Sequence, residues 1–165
     1  MIKVNVLLNN IHWNYYIKNP NAYIDRKIGR INKKDKLFKK KVLICSLLLS
    51  GPSEIKKLNS KFRNKNKSTD VLSFPFYSKK KLAQLIKKEK DIYLGDIIIN
   101  LKKIKNKSNK TQFKKNFDYL WIHGLLHLFG HRHKLNKDFR AMRRIEKKYF
   151  QYINEWLKKF STIDY

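Results

Sequence analysis

Residues 112–133 read QFKKNFDYLWIHGLLHLFGHRH. Apolar side chains recur in this stretch every three or four residues, which is the period of an α-helix with one buried face. They are Phe113, Phe117, Leu120, Trp121, Leu125 and Leu128. Gly130 follows the last of them, where a glycine commonly ends a helix in a left-handed turn. The pattern therefore predicts a helix over residues 112–129 that covers the protein core with its apolar face.

Four short apolar runs before this helix favour strands, because they are rich in Val, Ile, Leu and Phe and end at polar or turn-forming residues. They span residues 2–8, 41–50, 70–76 and 92–100. The second run is continuously apolar, which is typical of a strand buried on both faces. Pro75 cannot donate a backbone hydrogen bond, so the third strand is expected near the edge of a sheet.

Amphipathic segments separate these strands and follow them. A helix is predicted over residues 21–34, and another begins with Ser53 as its N-cap. Residues 79–90 form either a short surface helix or a mobile lobe, and residues 136–160 form a long basic helix. This order predicts an α/β (α+β) fold, a single domain over residues 1–165 in which helices cover a mixed sheet of about four strands.

The composition excludes several classes of protein. The 165 residues are 42% hydrophobic and 13% aromatic, whereas a disordered polycation lacks such apolar surface. Cys45 is the one cysteine, so no intrachain disulfide can form, which favours a reducing compartment. The longest apolar run, residues 42–49, is far shorter than the ~20 residues that cross a bilayer. No secretory signal is predicted at the N-terminus. A cytoplasmic protein without membrane association is expected.

The chain carries 40 Lys and Arg against 12 Asp and Glu, a formal charge of +28. Such a surplus indicates a polyanionic partner, for which RNA, DNA and an anionic membrane are all candidates. However, only 7 of the basic residues are arginines, and Lys, Asn and Ile share A/T-rich codons. Drift toward an A/T-rich genome would raise the lysine content without selection for any partner. The charge alone therefore locates no functional site.

Four of the five histidines lie within residues 123–133. His123 and His127 are four residues apart, which places both imidazoles on one face of the predicted helix, where they can share a metal. A turn at Gly130 lets the chain return and present His133 as a third ligand. Three imidazoles with one open position describe a catalytic zinc site rather than a structural one. A helix continuing through Gly130 would instead offer His131 as the third ligand.

Zinc proteases of the metzincin type share this spacing, in the motif H-E-x-x-H-x-x-G-x-x-H. Their glutamate after the first histidine is the general base. Gly124 occupies that position here and has no proton-accepting side chain. The spacing therefore favours a zinc site but argues against a peptidase, while metal-assisted hydrolysis of another substrate remains open.

Several segments together resemble the bacterial YbeY endoribonucleases, which are rRNA maturation factors. Residues 123–133 (HGLLHLFGHRH) resemble the family motif H-G-x-L-H-L-x-G-Y-D-H. Residues 58–63 (LNSKFR) and 68–76 (STDVLSFPF) resemble the family's loop and its T-D-V-L-S-F-P strand, and residues 94–99 (LGDIII) its L-G-D-I strand. Met142 and Glu146 stand where the family's last helix has a methionine and an acid.

The resemblance implies a mixed four-stranded sheet covered by helices, and one Zn²⁺ ion held by His123, His127 and His133. It also implies metal-dependent cleavage of single-stranded RNA during rRNA maturation, particularly at the 3′ end of the small-subunit rRNA. The small ribosomal subunit is then an expected partner. Arg63 matches an arginine linked to activity in the family, and a guanidinium there would suit contact with the scissile phosphate.

The sequence departs from the family at His131 and Arg132, which replace a Tyr-Asp pair. An aspartate beside the metal could orient a ligand or take a proton, whereas Arg132 can do neither. Two alternatives therefore stay open. One is a non-catalytic rRNA-binding assembly factor that keeps zinc for stability, and the other is a zinc hydrolase acting on another substrate. Whether water or the RNA 2′-hydroxyl is the nucleophile also stays open.

Overall fold

The structure is a computed structural model that describes residues 1–35, 40–132 and 135–154. The four strands of these ranges are β1 (Ile2–Leu8), β2 (Val42–Ser50), β3 (Val71–Pro75) and β4 (Asp91–Asn100). The helices are α1 (Trp13–Tyr16), α2 (Pro20–Lys34), α3 (Pro52–Arg63), α4 (Lys79–Lys88), α5 (Lys110–Leu128) and α6 (Asn136–Ile153), with a 3₁₀ turn at Leu101–Lys103. Their order along the chain confirms the predicted alternation of strands and helices.

The strands form one mixed sheet in the order β1-β2-β4-β3. The first three are parallel, and β3 runs antiparallel to β4 at the edge. This confirms the prediction of a mixed four-stranded sheet and of an edge position for the strand that ends at Pro75. The backbone groups of Phe76 and Asp70 bond to β4. Because antiparallel pairing alternates, the carbonyl of Ser73 faces the free edge instead.

Helices cover the two faces of the sheet unequally. On one face, α2 and α5 pack on the strands, and the largest buried side chains of the main core lie there, among them Trp13, Phe113 and Trp121. On the other face, α3 buries a small apolar cluster. Its members are Ile55, Leu72 and Ile98. The rest of that face carries partly exposed side chains, because α3 spans only one corner of it.

Two expectations need correction, and one pair of alternatives is decided. Ser53 is not the N-cap of α3; Gly51 holds that position and Pro52 is the first helical residue, where its fixed φ suits the first turn. Strand β2 is not buried on both faces, because buried and half-exposed side chains alternate along it. The segment after Ser78 is a helix rather than a mobile lobe, and the Ser78 hydroxyl caps it by accepting from the Lys81 N–H at 3.3 Å.

The last helix is described from Asn136 to Ile153, and residues 155–160 of the predicted helix lie outside the described residues. Two short elements, α1 and the 3₁₀ turn, were not predicted, since four- and three-residue turns carry too few apolar positions to show a period. Within the described ranges, no helix combines the length and the apolar character needed to cross a membrane.

Candidate functional site

Two histidines face each other on the last turns of α5. His123 and His127 are one helical turn apart, and their Nε2 atoms approach to 3.0 Å. Their ring centroids are 4.6 Å apart with the planes nearly perpendicular. The structure thus brings together two of the three predicted metal ligands, with the nitrogens that a metal would use converging on one point.

Glu146 on α6 holds the first of these rings. The Nδ1 atom of His123 lies 2.6 Å from the Glu146 Oε1 atom, and the Tyr119 hydroxyl donates to Oε2 at 3.1 Å. Burial works against the charge of Glu146, but the hydrogen bonds from His123 and Tyr119 outweigh it, so the pKa of this carboxyl lies below its usual range. Because an ionised carboxylate only accepts hydrogen bonds, the Nδ1 atom of His123 carries the proton.

A backbone carbonyl holds the second ring. The Nδ1 atom of His127 lies 2.9 Å from the carbonyl oxygen of His131, which can only accept. With both Nδ1 atoms facing acceptors, the two Nε2 atoms point at each other and can share a cation. Acceptors behind each Nδ1 also fix the tautomer and orientation that a metal-binding histidine needs, so the pair fits a divalent metal such as Zn²⁺.

The end of α5 bears on the alternative in which a continuing helix presents His131 as the third ligand. The helix ends at Leu128, and Gly130 has a φ of +82°, so no continuous helix carries His131 onto the face of His123 and His127. A Cβ atom at Gly130 would lie 2.8 Å from the Cβ of Lys79, which also requires glycine there. The alternative ligand set that depended on a continuing helix is therefore wrong.

His133, the third ligand predicted from the sequence, lies outside the described residues. Among the residues that are described, no cluster of three His, Cys, Asp or Glu side chains could hold a metal. The imidazole of His131 is half-buried, and burial together with nearby Lys79 lowers its pKa. The structure thus brings two of the predicted ligands together, and the assignment of all three histidines as metal ligands remains a prediction.

Gly124 lies where α5 touches the sheet. A Cβ atom there would lie 2.7 Å from Cγ2 of Ile97 on β4 and 3.1 Å from Oγ of Ser73 on β3. This position therefore has no space for any side chain, and in particular none for the glutamate that a metzincin protease places after its first histidine. The tight packing explains the glycine and agrees with the argument against a peptidase.

Arg63 is the last residue of α3 and is exposed. Its Nη2 atom donates to the carbonyl of Ser73 at 3.1 Å, at the free edge of β3. The Ser73 side chain points the other way, toward Gly124 on α5. Ser73 therefore joins the predicted catalytic arginine to the helix that carries the histidines.

Comparison with known proteins bears on this arrangement. The model of the family described as "Endoribonuclease YbeY" matches residues 10–154. A protein named Endoribonuclease YbeY from Pelagibacter ubique is 39% identical over 155 residues, which are 93% of this chain and 97% of that relative. A second protein of that name, from Thermodesulfovibrio yellowstonii, is 38% identical over 128 residues, covering 75% of this chain and 73% of the relative. The chain belongs to the YbeY endoribonuclease family.

A solved structure supports the fold of this YbeY-family chain independently. The solution structure of TM1509 from Thermotoga maritima superimposes with a TM-score of 0.56 and 24% sequence identity, and the match covers 100% of this chain and 97% of that one. At this level of identity the likeness concerns the fold alone.

The departure of this YbeY-family chain at His131 and Arg132 leaves the histidine pair intact. The group of residue 131 that contacts His127 is the backbone carbonyl, which a residue of any type at this position would provide. Arg132 is exposed. The substitution therefore changes the charge beside the site without removing a contact that orients His127.

Little or nothing in the sequence indicates that Glu146 and Tyr119 belong to the site. Glu146 was noted only through the family resemblance, although a carboxylate on the buried stripe with Met142, Tyr149 and Ile153 is itself a signal, because buried acids need a partner. Tyr119 gave no signal, since a tyrosine on an amphipathic helix fits packing equally well. Its contact with Glu146 depends on how α5 and α6 cross.

Proposed function

We propose that this chain is a Zn²⁺-dependent endoribonuclease that cuts single-stranded RNA in rRNA maturation, at the 3′ end of the small-subunit rRNA. The observation that carries the proposal is the convergence of the His123 and His127 Nε2 atoms to 3.0 Å with both Nδ1 atoms held by acceptors. The family match and the relatives named Endoribonuclease YbeY support RNA as the substrate. The whole chain, residues 1–165, would act as one cytoplasmic domain with the small ribosomal subunit as its partner.

One Zn²⁺ ion would be held by His123, His127 and His133. When bound, it would supply Lewis-acid chemistry, polarising a phosphoryl oxygen and lowering the pKa of water. Glu146 keeps the proton of His123 on Nδ1, and the His131 carbonyl does the same for His127, so both Nε2 atoms stay available to a cation. The protein thereby presents a site whose ligand geometry is set before the metal arrives.

Arg63 is proposed as the catalytic residue that contacts the scissile phosphate. Its guanidinium keeps further N–H groups beyond the one given to the Ser73 carbonyl, and its exposed position leaves them accessible to RNA. A planar guanidinium suits two hydrogen bonds to one phosphate and the charge that grows on it during cleavage. The anchoring bond to Ser73 limits the rotamers that must be ordered when RNA binds.

The experiment is cleavage of a single-stranded rRNA 3′ fragment by the full chain, with analysis of the product ends. We expect cleavage by the wild type and its loss in His123→Ala together with the metal. A 2′,3′-cyclic phosphate end would identify the RNA 2′-hydroxyl as nucleophile, and a 5′- or 3′-monophosphate without cyclic intermediate would identify water. Full metal content and activity in His123→Ala would contradict the assignment of the site.

A non-catalytic rRNA-binding assembly factor is the second candidate, favoured by one observation. Gly124 offers no general base, and Arg132 stands where the family has an aspartate. Neither position therefore places a carboxylate beside His123 and His127 to act as a base. A wild-type chain that binds rRNA and holds one Zn²⁺ ion but never cuts single-stranded RNA would establish this candidate. If unlabelled single-stranded RNA inhibits cleavage by competing for the site and a peptide does not, a peptidase is excluded.

A further inference from the structure

Aromatic side chains form a row on the sheet face opposite the histidine helix. Phe62 and Phe76 are exposed by 59% and 64% of their area. The ring centroids of Phe62 and Phe74 are 5.3 Å apart, and those of Phe76 and Tyr93 are 5.8 Å apart. Phe74 and Phe76 are two residues apart along β3 and its end, so the row is continuous. We call these four residues the aromatic strip.

The strip begins at α3 and continues beyond it onto the uncovered part of the sheet. Phe74 packs against the small cluster under α3, which places it on the α3 face of the sheet. Beyond that helix, Tyr93 and its neighbours on the face are only partly buried, and the Tyr93 hydroxyl donates to Asp96 at 2.6 Å. This hydrogen bond limits the rotation of the Tyr93 side chain, which is partly exposed. A contiguous row of exposed rings on a fixed scaffold marks a candidate binding surface.

Cations are interleaved with the rings. The Lys61 Nζ atom lies 5.3 Å from the centroid of Phe62, and the Arg63 guanidinium carbon lies 5.9 Å from that of Phe74. Lys65 and Lys67 follow in the exposed loop after α3. Rings for stacking beside cations for phosphates are the combination by which proteins bind single-stranded nucleic acid. The charge complements a polyanion and disfavours a basic protein partner.

The strip is physically connected to the histidine site through β3. Neighbouring residues of a strand face opposite sides, so Phe74 points to the α3 face while Ser73 points to Gly124 on α5. Arg63 bonds to Ser73 at the free edge between the two faces. An RNA strand that passes over the free edge of β3 would contact the aromatic strip, then Arg63, and then α5, which carries the histidines.

We propose that the aromatic strip is a base-stacking subsite for single-stranded RNA, which holds the nucleotides next to the scissile phosphate while that phosphate crosses the β3 edge at Arg63. The inference rests on the proposed function and names how the same site takes its substrate. Duplex RNA cannot use this subsite because its bases are already stacked on each other. The strip therefore provides selectivity for single strands.

The test measures the affinity of the full, metal-loaded chain for a short fluorescein-labelled 2′-O-methyl RNA, shown by gel to stay intact. The variant is Phe62→Ala/Phe76→Ala, which removes the two most exposed rings of the strip. Because stacking on rings contributes strongly to the binding of single strands, we expect affinity to fall by at least about 10-fold. Phe62→Tyr/Phe76→Tyr keeps both rings and should retain the affinity of the wild type.

Two controls make the result specific. Tyr15→Ala/Phe139→Ala removes exposed rings elsewhere, where the residues are 69% and 46% exposed, and should leave RNA affinity unchanged. An abasic oligomer of equal length offers phosphates without bases, so wild type and Phe62→Ala/Phe76→Ala should bind it equally. Unchanged affinity of Phe62→Ala/Phe76→Ala for intact RNA, or an equal loss for the abasic oligomer, would overturn the proposal.

The outcome separates the subsite from the proposed function. If Phe62→Ala/Phe76→Ala binds and cuts single-stranded RNA as the wild type does, the subsite is wrong and the endoribonuclease stands. If the wild type neither binds nor cuts RNA, the proposed function itself fails. If the variant shows a raised KM with an unchanged kcat, the strip serves binding of the substrate and not the chemical step, as proposed.

Discussion

At the scale of single residues, the site depends on side chains that are absent as much as on those that are present. Gly124 lets α5 approach β3 and β4 until no Cβ would fit between them. This approach sets where the helix carries His123 and His127 relative to Ser73 and Arg63. A glycine inside a helix is intrinsically unfavourable by about 1 kcal/mol relative to alanine, so its presence indicates a packing requirement.

Gly124→Ala should lower the stability of the protein. The new methyl would clash with the branched, buried Ile97, and overpacking of this kind costs about 1–3 kcal/mol, which exceeds the gain in helix propensity. Urea denaturation would measure the change. Gly29→Ala is the matched control, because a Cβ at that helical position meets nothing within 4 Å. It should stabilise, and a stabilised Gly124→Ala would refute the packing argument.

Glu146→Gln should weaken metal binding. An amide can still meet the His123 ring, but it lacks the charge that holds the proton on Nδ1. Changes of this kind in the partners of metal-binding histidines cost roughly 10–100-fold in metal affinity. Competition with a chromophoric chelator would measure it. Asp138→Asn removes an exposed acid from the same helix and should not change the affinity; an equal loss in both variants would point to net charge instead.

At the scale of elements, a buried network of polar side chains connects three helices. Lys27 of α2 donates to Asp118 of α5 at 2.9 Å, and to the Ile153 carbonyl and the Asn154 side chain at the end of α6. Asp118 also accepts from Tyr23 and Trp121. Because every group is buried, each depends on the others for its hydrogen bonds.

Asp118→Asn should therefore be strongly destabilising. The amide oxygen can still accept from Tyr23 and Trp121, but Lys27 would keep a buried charge without its counter-charge. Breaking a buried ion pair in this way costs about 3–5 kcal/mol. Asp25→Asn makes the same substitution at an exposed position of α2 and should change stability by less than about 0.5 kcal/mol. Thermal denaturation of both variants measures the difference, and similar midpoints would refute this role.

The burial of Cys45 in β2 predicts that its thiol is unreactive in the native protein. Burial raises the pKa of Cys45 to about 12, so almost no reactive thiolate exists near neutral pH. We expect no reaction with iodoacetamide at about pH 8 in the native protein, and full labelling in urea. Labelling monitored by mass spectrometry would then report unfolding. Rapid labelling of the native chain would show that this side of β2 opens.

The elements were largely predictable because the apolar periods are long enough to show. Helix α5 and the four strands follow from their patterns, and Pro75 indicated the edge strand. The prediction of Ser53 as the N-cap was wrong because Pro52, whose fixed φ suits the first turn, starts the helix two residues earlier than a Ser53 cap would. The exposure of β2 could not be predicted, since the sequence does not say that α3 covers only one corner of the sheet.

At the scale of the whole molecule, the net charge of +28 predicts how strongly RNA binding depends on salt. It does not locate the site, which rests on the histidine pair, Gly124 and the family match. It predicts instead how RNA binds. The affinity for single-stranded RNA should fall about 300-fold between 50 and 200 mM salt if six phosphates are contacted. Fluorescence anisotropy at several salt concentrations measures the slope, and a flat slope would contradict an RNA partner.

The pairing of His123 with His127 was predictable from the sequence, but the groups that hold their rings were not. The spacing of His123 and His127 is sufficient to place two nitrogens on one helical face. The acceptors behind them belong to α6 and to the turn after α5, and their positions depend on the crossing of helices and on the backbone of residue 131. Arg63 and Ser73 meet only through the pairing of β3 at the sheet edge, which no local pattern reveals.

The central claim is that the histidine pair holds a metal with which the protein cuts RNA. Metal content and cleavage of single-stranded rRNA, measured on the same preparations of wild type and His127→Ala, test it most directly. His12→Ala removes an exposed histidine elsewhere and serves as the control. We predict one Zn²⁺ ion per chain and cleavage in the wild type and the control, and neither in His127→Ala. Metal and cleavage both retained in His127→Ala would contradict the claim.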